Sequence, residues 1–184
     1  VGEGSTPSQA LRESLELARF GDEHGFKRHW FAEHHSMPSV ASSAPEILIA
    51  HIAAATKNIR VGSGGVMLPN HVPLKLAENF HTLEALHPGR IDLGIGRAPG
   101  TDPTTIRALR SFDAANFAAQ FAELQALSER SFGPEHPFHR IRVMPDDVSL
   151  PPVWILGSSG ASARFAGQAG LGYSFASHFS PTDP

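Results

Sequence analysis

The spacing of apolar residues along the chain switches repeatedly between the three-to-four-residue period of a helix and the short apolar runs of strands. Thr6-Pro7-Ser8-Gln9 reads as a capping box with proline at the first helical position. Leu11, Leu15 and Ala18 continue on one face, which predicts a helix over residues 7–24 closed by Gly25. The aromatic run FKRHWFAE at 26–33 predicts a strand leading into His34-His35 and a Ser/Pro-rich loop. Ser43 and Glu46 form a second capping-box pattern, followed by a helix, apolar on nearly every side, that ends near Thr56. IRVGSGGVML at 59–68 predicts a strand interrupted by three glycines. Pro69-Asn70-His71 then turns the chain into a helix over 73–87, with Leu76, Phe80 and Leu83 as its core stripe. Ile91, Leu93 and Ile95 alternate through a further strand to Gly96-Arg97.

Two helical stretches are predicted within 103–130, the second carrying Phe117, Phe121, Leu124 and Leu127, with a weak link at 111–116. Residues 134–152 read as loop, 153–156 (VWIL) as a buried strand, 161–168 as a helix and 171–176 as a last strand. Regular alternation of helices and fully apolar strands predicts an α/β fold with a parallel sheet covered by helices. Both an open doubly wound sheet and a barrel satisfy this pattern.

Composition narrows the function more than the fold. Of 184 residues 41% are hydrophobic and 18% charged, enough to build a core, and the 17 glycines and 15 prolines lie between the periodic segments as turn formers. A net charge of −3 offers no basic footprint for nucleic acid or an anionic membrane surface, so a small molecule is the expected partner. The absence of cysteine removes disulfides, thiolate nucleophiles and sulfur metal sites, and fits a reducing compartment. With no apolar run of about 18 residues and no visible signal sequence, the cytoplasm is the expected location.

In a parallel α/β sheet the functional residues gather at the C-terminal ends of the strands. Here those ends carry Glu33-His34-His35, Asn70-His71, Gly96-Arg97, Ser158-Ser159 and His178. Adjacent His34 and His35 cannot both face one side of an extended chain; His34 shares parity with Trp30 and Ala32. Glu33, His34, His35 and His71 could supply metal ligands, but no ligand-like spacing supports a metal, and none is expected. His51 is read as a packed core histidine and His81 as solvated helix surface. Gly94-x-Gly96-x-x-x-Gly100 misses the dinucleotide fingerprint. Gly64 and Gly65 inside a buried strand imply either a bulge or the close approach of a flat ligand. Gly157-Ser158-Ser159-Gly160 opens a helix directly after a strand, which suits either plain capping or a phosphate seat, with Arg97 as a cation or as a partner of Asp102.

The segments WFAEHH at 30–35, RVGSGGVMLP at 60–69 and PGRIDLGIGRAPG at 88–100 together resemble the bacterial luciferase-like family of flavin-dependent monooxygenases, in order and over nearly the whole chain. The resemblance is to the single-chain luciferase-like group, and Gly96 stands where the light-emitting enzymes carry a reactive cysteine, so luminescence is not expected. It implies a TIM (β/α)8 barrel that binds reduced FMN or, in a sister branch, F420. By position it implies that His34, flanked by Glu33 and His35, assists the oxygen chemistry of the flavin. It also implies that Gly64-Gly65 forms a cis peptide against the flavin ring, and that Arg97 with Ser158, Ser159 and Gly160 approaches the phosphate; Asn70 is expected beside the cofactor. The implied activity is monooxygenation of a small organic substrate, with a flavin reductase as a possible supplier. F420-dependent hydride transfer and a non-catalytic flavin-binding relative are the alternatives.

A TIM barrel typically takes about 250 residues, so a single partial barrel over 1–184 is expected, without its first strand and last βα units. The second helix carries Ile47, Leu48, Ile49, Ile52 and Ala53 on more than one face, which predicts a homodimer packed through that helix and the next.

Overall fold

A computed structural model describes residues 1–109 and 114–177. His178 and residues 111–113 of the weak link at 111–116 lie outside the described residues. The helices are α1 (Pro7–Glu23), α2 (Pro45–Ala55), α3 (Pro73–Leu86), α4 (Pro103–Leu109), α5 (Phe117–Glu129) and α6 (Gly160–Gln168). The strands are β1 (Arg28–Phe31), β2 (Arg60–Ser63), β3 (Val66–Met67), β4 (Ile91–Gly96), β5 (Val153–Gly157) and β6 (Gly172–Phe175). Every strand pairing is parallel, in the order β1-β2-β4-β5-β6, with β3 also against β4. The parallel sheet curls into a half-barrel, which is consistent with part of a barrel.

The convex face is the hydrocarbon core. Val61, Leu93, Ile95 and Ile155 meet Ile49 and Ile52 of α2, Leu76 and Phe80 of α3, and Phe121 and Leu124 of α5, all nearly or fully buried. The predicted stripe of α3 is its buried face. All six residues of β4 are buried, so the apparent alternation of Ile91, Leu93 and Ile95 is one half of a strand covered on both sides.

Three local expectations change. Thr6 caps α1 through Gln9 N–H (3.2 Å), but the Gln9 amide turns to Glu13 (2.9 Å) instead of closing a box. Residue 44, not Ser43, is the N-cap of α2, and no side chain caps that helix; Pro45 supplies the start through its fixed φ. The predicted strand at 59–68 is two, β2 and β3, split at Gly64-Gly65. Ser63 bridges the break, its Oγ donating to Gly94 O (2.8 Å) and accepting from Gly94 N–H (3.0 Å).

The two helix histidines exchange places. His51 is exposed. His81 is 2% exposed; its Nδ1–H donates to Pro145 O (2.9 Å) and its Nε2 accepts from Ser128 (2.7 Å). It thereby fastens the long loop over 134–152 to α3 and α5. That loop also contains a cis Met144-Pro145 peptide. Helical parity alone cannot foresee a polar anchor supplied by a loop about sixty residues further on.

Candidate active site

At the C-terminal ends of the strands the concave face holds a cavity of about 570 Å³. Residues that follow different strands converge there: His34 after β1, Met67 at the end of β3, Arg97 after β4, Ser158 after β5 and Ser174 near the end of β6. Of the residues singled out in the sequence, His34, Gly64, Gly65, Arg97, Ser158 and Ser159 line it. Glu33, His35 and Asn70 stand behind its wall, and Gly160 begins α6 just outside the lining.

Glycine makes the flat part of the lining. The Gly64-Gly65 peptide is cis. A Cβ on Gly64 would sit 3.0 Å from Trp30 Cβ, and one on Gly65 2.8 Å from Gly94 O. The backbone of Gly94 leaves no room for a Cβ on Gly65, a Cβ on Gly64 would press on the Trp30 side chain, and both glycines line the cavity. The bulge and the flat-ligand readings are compatible with one another.

His34 Nδ1 lies 3.2 Å from Gly100 O. A carbonyl oxygen can only accept, so in the neutral ring Nδ1 carries the hydrogen and Nε2 keeps its lone pair. No described residue bonds Nε2, which leaves it as the nitrogen available to a bound molecule. His35 faces the other way, its Nε2–H donating to Glu33 Oε1 at 2.8 Å. The parity argument placed the pair correctly.

Glu33 is fully buried and is the hub of the wall. Besides His35, it accepts from His71 Nε2 (2.8 Å), Met67 N–H (2.9 Å) and Asn70 Nδ2 (3.1 Å). Burial pushes its carboxyl up. The His71 bond and charge, the His35 bond and the Met67 N–H outweigh that and hold it below the ordinary carboxylate range. Burial likewise pulls His71 down, but its bond to Glu33 and the charges of Glu33 and Glu46 raise it above the ordinary histidine value. Glu33 and His71 thus favour each other's charged forms, and His35 is hydrogen-bonded to the same carboxylate. Among the described residues no group of three or more His, Asp or Glu is arranged to hold a metal ion.

Another part of the lining suits an anion. Arg97 is exposed, lines the cavity and has no carboxylate partner among the described residues. Asp102, its sequence candidate, instead accepts from Thr104 N–H (2.8 Å), Thr105 N–H (3.1 Å) and Thr105 Oγ1 (2.6 Å) at the start of α4. Ser159 is the N-cap of α6 and no side chain caps the helix, so its first N–H groups are available beside the cavity. Tyr173 fixes the turn by donating to Gly157 O (3.0 Å) and Ser159 O (3.3 Å). Ser162, in the first turn of α6, also lines the cavity and was not singled out in the sequence.

Below the glycines a polar floor went unread in the sequence. Asp92, fully buried, accepts from Arg28 Nε (3.0 Å), Trp30 Nε1 (3.1 Å) and Arg60 Nε (2.9 Å) and Nη2 (2.7 Å). The Arg28 guanidinium stacks over the Trp154 ring at 4.8 Å. All these side chains share the inward parity of Gly62 and Gly94.

Similar proteins carry the same arrangement of sequence. The family model described as luciferase-like monooxygenase matches residues 1–183. The uncharacterized protein YvbT of Bacillus subtilis (strain 168) is 51% identical over 185 residues, covering 100% of this chain and 54% of that protein. A luciferase-like monooxygenase of Escherichia coli (strain K12) is 49% identical over 184 residues, covering 98% of this chain and 54% of its own length. The crystal structure of apo-MsnO8 superposes with a TM-score of 0.87 at 44% identity, over 99% of this chain and 54% of that one. The chain therefore spans about half the length of the curated relatives it matches. The family model spans nearly the whole chain, and the chain belongs to the luciferase-like monooxygenase family.

Proposed function

We propose that this chain carries the flavin-binding face of a monooxygenase that uses reduced FMN and molecular oxygen to place one oxygen atom on a small organic substrate. The observation that supports it is the cavity itself, which is lined by glycines, a cation, several hydroxyls and an imidazole whose Nε2 no described residue bonds. A flat ring bearing a phosphate tail matches that donor set. FMN, when bound, supplies the oxygen activation, and the protein supplies binding, orientation and proton handling. Arg97, Ser158, Ser159 and the N–H groups of α6 hold the phosphate. Gly64 and Gly65 let the ring lie against backbone. His34 Nε2 takes or returns a proton beside the ring.

A flavin reductase in the cytoplasm supplies the reduced cofactor. A second copy of the chain packs on α2 and α3, where Ile47 (71%) and Val72 (63%) are exposed.

The test is a titration of the protein with FMN, riboflavin and F420, followed by oxygen uptake with chemically reduced FMN. FMN bound more tightly than riboflavin, with substrate-dependent oxygen consumption, supports the reading. Preference for F420 with hydride transfer and no oxygen uptake replaces it with the oxidoreductase alternative; flavin retained without turnover leaves a binding protein.

A further inference from the structure

Pro99 and Gly100 lie where the loop after β4 meets the loop after β1; the turn after β3 holds the carbonyl of Pro99 and the loop after β1 holds that of Gly100. Asn70 Nδ2 spends one hydrogen on Pro99 O (3.1 Å) and the other on Glu33 Oε1 (3.1 Å). Gly100 O accepts from the His34 Nδ1–H (3.2 Å) and from His35 N–H (3.1 Å). Gly100 has φ +68°, and a Cβ there would fall 2.6 Å from Glu33 O, so this backbone is pressed directly on the segment that carries the histidines. Because successive peptide planes are linked by only two rotations, fixing Pro99 O restricts where Gly100 O can point.

We propose that Asn70 is a positioning residue that sets the tautomer of His34. By clamping the Pro99-Gly100 peptide to the buried Glu33 carboxylate, it holds Gly100 O against His34 Nδ1. The neutral ring then keeps its hydrogen on Nδ1 and turns a bare Nε2 toward the cavity. Asn70 suits this task because its amide offers two hydrogens in one plane; aspartate offers none, and alanine neither hydrogen nor reach. Glu33 suits the other end because it stays ionised and accepts only. His34 exchanges protons with a bound molecule, whereas Asn70 acts on His34 through the peptide. What Nε2 does once exposed rests on the function proposed above, but the tautomer belongs to the ligand-free chain and is measured without flavin.

The experiment is two-bond proton–nitrogen NMR of protein labelled with 15N-histidine, without ligand, at a pH where His34 is neutral. The His34 signals are assigned by their loss in His34→Gln. The native chain is expected to show the Nδ1–H form. Asn70→Ala and Asn70→Asp are expected to raise the Nε2–H fraction roughly two- to tenfold, the weight of one hydrogen bond. Thr101→Val, which removes a different tie between the same loops (Thr101 Oγ1 to His35 O, 2.6 Å), is expected to leave the tautomer as it was. An Nε2–H ring in the native chain, an unchanged Nδ1–H ring in both Asn70 variants, or an equal change in Thr101→Val overturns the proposal. The expected tautomer pattern in a chain that binds no FMN sustains it and removes the functional reading instead.

Discussion

Glu33 Oε2 and His71 Nε2 lie 2.8 Å apart, joining a carboxylate with no solvent exposure to an imidazole that is itself only 27% exposed. Removing one member of such a pair leaves the other buried and uncompensated, and Glu33 has three further donors that lose their acceptor with it. Glu33→Ala is therefore expected to destabilise the fold by about 3–5 kcal/mol in urea unfolding.

The same pair predicts a pH window. Glu33 is held below the ordinary value of 4.5, so its contribution is present above that value and is lost as pH falls through the lowered one. His71 is raised above 6.5, so its contribution is present below that value and is lost as pH rises through the raised one. Native protein minus Glu33→Gln, compared by unfolding midpoint, should give a plateau from about 5 to 6.5 that declines on both sides. A stability difference independent of pH would show that the two groups are not charged together.

Asp92 organises the cavity floor, and its two arginines are unequal. Arg60 makes two bonds to the carboxylate and two more, to Gly89 O and Ile91 O, while Arg28 makes one and is more exposed, at 39% against 25%. Solvent screening lowers what each ion pair contributes. Arg60→Ala should cost about 2–3 kcal/mol and Arg28→Ala roughly 1 kcal/mol, with Asp92→Ala above either because it strands both cations. The ordering, read from urea midpoints, is the point at issue; Arg28→Ala costing more than Arg60→Ala would contradict it.

His34 touches no buried ion pair, so its loss should spare the fold. A positioned acid–base group contributes about 10²–10⁴ in rate while a single edge contact adds little affinity. His34→Ala is expected to reduce turnover by that factor and to change the FMN dissociation constant less than about threefold. Rapid-mixing kinetics separates the two, and a variant that loses FMN yet keeps turnover per bound flavin would reverse the assignment.

The sequence showed most where periodicity or a short motif carried the information. The α/β alternation, the α3 stripe of Leu76, Phe80 and Leu83 and the strand-end clustering all came from local pattern. So did the opposite orientation of His34 and His35, which needs only the two-residue period of an extended chain. What stayed hidden depends on contacts distant in sequence. Asn70 looked like a cofactor neighbour because it follows a strand, but its amide is taken up by Glu33 and Pro99. His51 and His81 exchanged roles because one helix face is covered by a loop whose docking no helical wheel reveals. Nothing local in the sequence joins Arg28, Arg60 and Asp92; the parallel register sets them on one inward face.

Arg97 offers the sharpest distinction between cofactors that differ only in a phosphate. It lines the cavity beside Ser158 and Ser159, has no competing carboxylate among the described residues, and lies close to the uncapped start of α6. A charge-assisted bond to phosphate is worth about 1.5–3 kcal/mol, which is roughly a tenfold to hundredfold change in affinity. Arg97→Ala should weaken FMN by that factor and riboflavin by less than about twofold, since riboflavin presents no anion to this part of the lining. Arg97→Lys should recover part of the loss, because an ammonium supplies charge without the two-pronged donor geometry of a guanidinium. Since Arg97 is exposed, raising salt should narrow the gap between FMN and riboflavin in the native protein and leave it unchanged in Arg97→Ala. Fluorescence titration of both flavins at low and high ionic strength reads all three effects. Equal weakening of FMN and riboflavin by Arg97→Ala would place the phosphate elsewhere.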